Sequence, residues 1–315
     1  MVVFAGAVGT MLYNWISAVL RSLGNSVVPL VFLIISSVLN VILDIAFVVW
    51  IPMGVAGAAF ATVLAQLLSG IGCLVYAWKI LPILRFTKEE LRCDRELVKQ
   101  MLIYGVPTGL QMSIISVSDM TLQAMVNTYG TALIVAYGVC IKVEGVGWQM
   151  AEAIGTSLGT FTGQNVGANH LDRVKQGVRC TQYMIWGWSV VNMIAMFFFG
   201  KYMTYLFISP SETEVIKVAV TYFHTVFWFY PFLGSIFLYR NTLQGMGYGL
   251  IPMIGGIFEL VARTAIVTLV AGKTSFAGVC MADPAAWLAA LVPLLPYYFY
   301  IMRKWKNSDL LNWQN

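Results

Sequence analysis

Carboxylate side chains set inside long apolar runs are the residues of this sequence with the clearest chemical potential. A charged group is costly in an apolar environment, and where one persists it faces a packed interior or a wet cavity. Binding of a proton or a cation is the chemistry open to such a group. The acidic residues in this position are Asp44, Asp119, Glu144, Glu152, Glu259 and Asp283.

Asn40 and Asp44 form the first candidate site. They lie four positions apart, so a helix would place them on one face, and Thr62 on the following apolar run could come beside them. A carboxylate with an amide and a hydroxyl can hold a proton or a transient sodium ion. The alternative is a buried polar cluster that joins helices by hydrogen bonds.

Charged residues of the later runs give further candidates. Asp119, in the middle of "SVSDMTLQ", could bind a cation or form a salt bridge to Lys142 on the next run. Glu259 and Arg263 are four positions apart, a spacing that predicts an ion pair on one helical face.

Four other acidic or basic positions have weaker signals. Lys142 and Glu144 are two apart, so they point to different sides of a helix and need separate partners. Asp283 directly precedes Pro284, a pattern typical of a helix start that a carboxylate caps. No partner for Glu152 can be read from the sequence.

The elements that must position these residues are membrane-spanning helices. The chain has 315 residues, of which 59% are hydrophobic and only 10% charged, too few charges to coat a water-facing surface of this size. The fold class predicted is an all-α integral membrane protein with nine transmembrane helices, since about 20 apolar residues span a bilayer. The runs of that length are approximately 2–22, 28–50, 54–82, 101–127, 133–163, 178–208, 216–244, 250–272 and 276–302.

The basic residues predict how the chain faces the membrane. Segment 83–100 is rich in Lys and Arg, and basic loops gather on the cytoplasmic side. Threading the spans from this segment places most other Lys and Arg residues, Arg240 included, on the same side, together with the C-terminus. The net charge of +5 then reflects membrane topology and lipid contact, not nucleic-acid binding.

Several classes of function are not supported by any motif. No Ser/His/Asp or H-E-x-x-H arrangement is visible, so the chain is not predicted to be an enzyme. "GMGYG" lacks the Lys-Ser/Thr of a phosphate loop, so no nucleotide is predicted as a partner. The five cysteines and two histidines have no ligand spacing, and no resident metal or other cofactor is predicted.

One turn phrase occurs twice, as "SLGNSVVPL" at 22–30 and "GMGYGLIPM" at 245–253. Two of its residues, Gly24 and Pro29, and Leu20 just before it recur 223 positions on, as Gly247, Pro252 and Leu243. The next spans begin with "VAG" at 55–57 and "FAG" at 276–278. The order of matches predicts a parallel internal repeat related by an axis along the membrane normal. About 124 residues and three spans have no counterpart in the first copy.

An ordered set of phrases resembles the multidrug and toxic compound extrusion (MATE) family of secondary transporters. The phrases are "YNWISAVLRSLGNSVVP", "SSVLNVILDIAF", "MGVAGAAFATVLAQ", "GVPTGLQMSI", "GTFTGQNVGANHLDRV" and "LQGMGYGLIP". The resemblance implies two six-helix lobes around a cavity and exchange of a proton or sodium ion for an organic, often cationic, drug. The spans would be helices four to twelve of twelve, with the first three helices absent.

The resemblance also implies where cations bind. The family's N-lobe cation site matches Asp44, Asn40 and Thr62, with Ser17 and Asn14 nearby, although the family's acidic residue on the first helix has no counterpart here. Some family members carry an acidic ligand on the helix that holds Asp119. The candidates for the C-lobe cavity are Asp119, Glu144, Lys142, Glu259, Arg263 and Asp283.

These observations predict a chain divided into four parts. Residues 1–82 form a partial N-lobe, 83–100 a cytoplasmic linker, 101–305 a six-span C-lobe and 306–315 a cytoplasmic tail. The predicted function is multidrug efflux across the cell membrane, driven by a proton or sodium gradient, with drug-like molecules and membrane lipid as partners and a monomer as the full-length state. This chain alone is expected not to transport; a flippase for lipid-linked saccharides and a non-functional fragment are the alternatives.

Overall fold

The computed structural model describes residues 6–85, 93–270 and 276–307. All regular elements in these residues are helical, which confirms the predicted all-α class. The chain divides into two compact units, Met1–Asp94 and Arg95–Asn315, called unit 1 and unit 2 below.

The boundary between the units falls inside the segment predicted as a linker, 83–100. A helix begins at Arg95, so the last part of that segment is helical. Residues 86–92 of the segment, and 308–315 of the predicted tail, lie outside the described residues.

Unit 1 consists of three helices: α1 (Ala7–Ser22), α2 (Val27–Ile45) and α3 (Gly54–Ile80). Helix α2 continues into a wider, π-helical turn at Ala46–Trp50, and a short 3₁₀ turn, Pro82–Leu84, follows α3. Its small buried core joins α1 to α3 through Ile16, Leu20, Cys73 and Ala77.

Unit 2 holds the remaining helices. They are α4 (Arg95–Val126), α5 (Thr131–Gly167), α6 (Leu171–Thr204), α7 (Thr213–Val226), α8 (Tyr230–Gly245), α9 (Leu250–Val270), α10 (Phe276–Cys280) and α11 (Ala282–Asn307). A 3₁₀ turn at Phe227–Phe229 separates α7 from α8. Pro231 at the start of α8 has no backbone N–H to continue the preceding helix.

Seven helical segments of the described residues are long and apolar enough to cross a membrane, in agreement with seven of the nine predicted spans. The predicted span 2–22 corresponds to α1, whose described helix has 16 residues. The predicted span 216–244 is divided into helices of 14 and 16 residues. Neither half reaches the roughly 20 residues that a bilayer requires, because the turn at Phe227–Phe229 interrupts the run.

Large apolar side chains cover the outside of the helices. Leu206 is 81% exposed, Val146 74% and Met101 73%. A surface of this kind suits hydrocarbon as the surrounding solvent.

The repeated turn has the same geometry in both units. Gly24 and Gly247 have φ angles of +83° and +90°, in the left-handed region that glycine reaches without steric cost. After each glycine, the next residue donates its backbone N–H to the carbonyl five positions earlier, at 2.9 Å in both turns. The duplicated phrase therefore encodes one helix-ending motif used twice.

Helices α5 and α8 of unit 2 approach each other at their backbones. A Cβ at Gly155 would lie 2.9 Å from the Phe237 carbonyl oxygen, and one at Gly245 would collide with the carbonyl oxygen of Gly159. Only glycine leaves room for this contact, as in other small-residue helix interfaces in membranes. The contact fixes two of the helices that surround the cavity described next.

Candidate functional site

Unit 2 encloses a cavity of about 510 Å³ whose walls come from α4, α5, α7, α8, α9 and α11. Five carboxylates and two guanidinium groups line it, and we call it the acidic cavity. Its charged lining residues are Asp119, Glu144, Glu152, Glu259, Asp283, Arg240 and Arg263. Five of the six residues predicted for the C-lobe cavity thus come together in one place.

Arg263 is the hub of the charged network. Its side chain is 4% exposed, and its Nη1 lies 2.8 Å from Asp119 Oδ1 and 2.6 Å from Ser118 Oγ. Its Nη2 lies 3.0 Å from Asp283 Oδ1 and 3.5 Å from Glu259 Oε1. A guanidinium group has five N–H donors in a fixed plane, which allows one residue to join α4, α9 and α11.

These contacts decide three of the sequence-based alternatives. The predicted pair of Glu259 with Arg263 is present. Asp119 is paired with Arg263, so the alternative salt bridge to Lys142 is wrong. Asp283 lies in the first turn of α11, and its carboxylate binds Arg263 instead of serving only as a helix cap.

Arg240 is the second buried base of the acidic cavity. The sequence places it with the basic residues of the cytoplasmic side, and in the structure its side chain is 9% exposed and its Nη2 lies 3.2 Å from Glu259 Oε2. Arginine suits such a buried ion pair because its charge is delocalised and weakly hydrated. Glu259 therefore lies between two guanidinium groups, those of Arg240 and Arg263.

Glu144 has a different environment from the paired acids. The side chain of Tyr222 donates its O–H to Glu144 Oε2 at 2.8 Å, and the same hydroxyl is 3.4 Å from Asp283 Oδ2. Glu144 is 7% exposed, and its Oε1 has no hydrogen-bond partner among the described residues. No Lys, Arg or His of the described chain forms an ion pair with it. It is a buried carboxyl group that can hold a proton on Oε1.

The uncharged lining of the acidic cavity is aromatic and methionine-rich. Trp148 and Phe237 stack with their ring planes 10° apart and their centroids 6.2 Å apart. Met112, Met120 and Trp287 add polarizable surface. Aromatic faces and nearby carboxylates together favour organic cations over neutral or anionic molecules.

Lys142, a predicted cavity residue, does not line the acidic cavity. Its Nζ lies 5.7 Å from the centroid of the Phe207 ring, and the residue is exposed. Its separation from Glu144 by two positions turns it to another side of α5, as the spacing predicted.

Unit 1 contains the first predicted site. Asn40 Nδ2 donates to Thr62 Oγ1 at 3.4 Å, so the structure brings these two residues together. One carboxylate oxygen of Asp44 is buried without a hydrogen-bond partner in the described residues, as is the hydroxyl of Ser17. No hydrogen bond of the described residues joins Asp44, Ser17 or the exposed Asn14 to the Asn40–Thr62 pair. The cation-binding role of this group stays a prediction.

A family model described as MatE matches residues 107–289. The matched segment is more than half of the 315 residues and contains every charged residue of the acidic cavity. The chain belongs to the MatE family. This is the family that the sequence phrases resembled, and the chain is accordingly a multi-pass membrane protein of a transporter family.

Curated MatE relatives match nearly the whole chain. The probable multidrug resistance proteins YoeA and YpnP of Bacillus subtilis are each 29% identical, over 95% and 98% of this chain and 66% and 68% of their own length. The probable multidrug resistance protein NorM of Thermotoga maritima is 24% identical over 98% of this chain and 67% of its own length. The chain thus spans about two thirds of the length of these relatives.

Solved MatE structures have the same fold. An outward-facing multidrug resistance MATE transporter matches with a TM-score of 0.86 at 21% identity, over 95% of this chain and 68% of that one. A variant of the Vibrio cholerae MATE transporter VcmN matches with a TM-score of 0.85 at 21% identity, over 97% of this chain and 68% of that one. Family membership and fold therefore agree.

Sequence reasoning missed two parts of the MatE cavity. Tyr222, the partner of Glu144, had no distinguishing context in an apolar run. Arg240 did have a signal, because it lies within the span 216–244 and 19 positions before Glu259, on the other side of the repeated turn. A buried acid on one side of a tight turn between helices can pair with a base on the other.

Proposed function

We propose that this chain serves secondary active efflux of organic cations, by antiport against a proton or sodium gradient. The proposal rests on MatE membership and on the multidrug resistance names of the relatives. It rests equally on the acidic cavity, where carboxylates outnumber guanidinium groups and aromatic rings provide apolar contact.

The single observation that carries the proposal is the environment of Glu144. Asp119, Glu259 and Asp283 form ion pairs with Arg263, and Glu259 also pairs with Arg240, whereas no Lys, Arg or His of the described residues pairs with Glu144. Glu144 is buried, and its polar neighbours are the hydroxyl groups of Tyr222 and Tyr230. A coupling ion and a cationic substrate can therefore compete for the same carboxylate. Occupancy by one or the other would bias two conformations of the transporter, as alternating access requires.

Asp44 is the proposed second coupling residue, in unit 1. Its buried, unpartnered oxygen resembles that of Glu144, and Asn40 on the same helix provides a neutral polar neighbour. A proton or a transient sodium ion at Asp44 is the chemistry we propose there, with no resident metal or organic cofactor.

A transport assay tests the proposal. The 315-residue chain is reconstituted in liposomes, alone and as part of any longer open reading frame that contains it, and ethidium movement is followed under separate proton and sodium gradients. We expect no transport from the 315-residue chain alone, because it spans about two thirds of the length of its relatives. Glu144→Gln is expected to lower gradient-driven transport at least tenfold, and Asp119→Asn and Asp44→Asn to lower it less.

Glu212→Gln is the matched control, because Glu212 is an exposed acid before α7, and it should transport normally. Normal gradient-driven transport by Glu144→Gln in a folded protein would refute the role of this residue. Absence of ethidium transport by the wild-type open reading frame, with movement of lipid-linked saccharide instead, would replace the proposal with the flippase alternative.

The proposed location is the cell membrane, with the C-terminus in the cytoplasm and the full-length protein a monomer. The basic residues of segment 83–100 and of the C-terminal end support this orientation. A reporter fused to residue 315 that is active only in the cytoplasm tests it, and activity only outside the cell would contradict it.

A further inference from the structure

Unit 2 has a second cavity, which shares no lining residue with the acidic cavity. Its volume is about 340 Å³, and it opens between α6, α8 and α11. We call it the basic groove. It is lined by Lys175, Val178, Arg179, Gln182, Tyr183, Trp186, Tyr239, Tyr298, Phe299 and Met302.

The charge of the basic groove is entirely positive. Lys175 and Arg179 are four positions apart on α6 and share one face, and no lining residue, all of which the structure describes, is acidic. Arg179 makes no ion pair with the described residues. Lys175 is 3.9 Å from Asp172, but the carboxylate is fully exposed, and such surface pairs are weak. The groove can therefore accept an anion.

The rest of the basic groove is apolar and aromatic. Along α6, the two cations are followed on the same face by Tyr183 and Trp186, which are 65% and 49% exposed. Opposite them, the rings of Tyr239 and Tyr298 lie 5.1 Å apart. The positively charged end of the groove is thus continuous with an exposed apolar surface.

The position of the basic groove along α6 matches the edge of a bilayer. Helix α6 has 34 residues, a length of about 51 Å at 1.5 Å per residue, whereas the hydrocarbon layer is about 30 Å thick. Lys175 and Arg179 lie near one end of α6, where the helix extends beyond hydrocarbon. Tyr183 and Trp186 follow at the depth where aromatic residues gather.

We propose that the basic groove binds an anionic phospholipid. The phosphate lies between Lys175 and Arg179, and the acyl chains run along the exposed faces of Tyr183, Trp186 and Phe299. A soluble phosphate compound would leave the aromatic wall without a partner, and a zwitterionic lipid would add a positive charge beside two others. The inference is independent of the transport proposal, because the acidic cavity is not part of the site.

Lipid binding to the detergent-purified chain tests the proposal. Phosphatidylglycerol and phosphatidylcholine are titrated separately, and bound lipid is counted by native mass spectrometry. We expect phosphatidylglycerol to bind at least tenfold more tightly. The double variant Lys175→Gln/Arg179→Gln should lose this preference, whereas Lys175→Arg/Arg179→Lys should keep it.

The matched control is Arg173→Gln/Arg303→Gln, which removes two exposed cations outside the groove and should keep the preference. Equal binding of the two lipids by the wild type would overturn the proposal, as would equal loss in the control and groove variants. Displacement of phosphatidylglycerol by an equal concentration of inorganic phosphate would also overturn it, since the acyl chains would then contribute nothing.

Discussion

The two units place different chemistry at equivalent positions of the repeat. The duplicated turns are 223 positions apart, and by this offset Asn40 corresponds to Arg263. After the turns the offset is that between Gly57 and Gly278, by which Thr62 corresponds to Asp283. In unit 1 the pair is a neutral hydrogen bond of 3.4 Å. In unit 2 it is a buried salt bridge of 3.0 Å.

Two more equivalent positions follow the same rule. Ser17 corresponds to Arg240 and Ser36 to Glu259, so small hydroxyl residues stand in unit 1 where unit 2 has a buried ion pair. The backbone of the turn is the same in both units. The helix register therefore comes from the turn and the apolar faces, and the polar positions are free to be neutral in one unit and charged in the other.

The largest expected difference between the units comes from Arg263→Asn, which introduces the residue of unit 1. It leaves Asp283, whose side chain is 13% exposed, without its cation, and breaking a buried ion pair in this way costs about 3–5 kcal/mol. Asp119, whose side chain is 64% exposed, adds less. Unfolding by SDS in mixed micelles measures the loss. Asn40→Leu is the control in unit 1 and should cost about 1 kcal/mol, the worth of one hydrogen bond.

Similar losses in these two variants would contradict the contrast between the units. Local fluorescence can follow the unfolding of unit 1 separately. The contrast would be strengthened if Arg263→Asn lowered the free energy of unfolding of unit 2 and left the unfolding transition of unit 1 unchanged.

The double variant Arg263→Asn/Asp283→Thr rebuilds the neutral pair of unit 1 inside unit 2. It removes one of the carboxylates that Arg263→Asn leaves without a cation. We therefore expect its free energy of unfolding to be about 1–3 kcal/mol higher than that of Arg263→Asn, which is the cost of an unsatisfied buried group. A double-mutant cycle in the same micelles gives the coupling. Additive destabilisation by the two changes would show that the positions are not equivalent in their packing.

Gly245→Ala tests a packing feature that unit 1 lacks, since Ser22 occupies the corresponding position. The added Cβ would collide with the backbone of Gly159, and overpacking of this kind costs about 1–3 kcal/mol. Gly163→Ala is the control, because its Cβ would lie at 3.4 Å from its nearest neighbour, the Gly245 carbonyl oxygen. Equal stability of the two variants in thermal unfolding would argue against backbone contact between α5 and α8.

The smallest expected effects are those of Gly24→Ala and Gly247→Ala. No atom lies within 4 Å of a Cβ at either site, so only the left-handed φ is penalised, at about 1 kcal/mol. The same thermal unfolding experiment should give equal losses, with Gly187→Ala, in open space within α6, showing none. Unequal losses would mean that the two turns support their units differently.

Much of the fold could be predicted from apolar length alone. The span 54–82 became Gly54–Ile80 and the span 250–272 became Leu250–Val270, because glycine and proline mark the start of each. The 3₁₀ turn at Phe227–Phe229 was not predicted, since an aromatic run ending in Pro231 reads as continuously apolar, although Pro231 lacks the N–H that an α-helical bond to the preceding turn needs.

The sequence predicted most of the charged residues that line the acidic cavity, but it did not predict most of the ion pairs that they form. Intramembrane acids converge on a cavity because burial in lipid forbids other placements. Asp119 and Arg263 are 144 positions apart, and no local pattern connects them. The ion pair of Arg240 with Glu259 was not predicted for a related reason, because a charge near the end of a span can belong either to a loop or to a buried pair.

The glycine contact between α5 and α8 has a mechanical consequence for the acidic cavity. Because these two backbones are in contact, we expect α5 and α8, which carry Glu144 and Arg240, to move together when the cavity changes shape. Helix α4 is the opposite case, because Pro107 removes a backbone hydrogen bond about three turns before Asp119. We therefore expect α4 to bend at Pro107 when the acidic cavity opens and closes, while α5 and α8 keep their positions relative to each other.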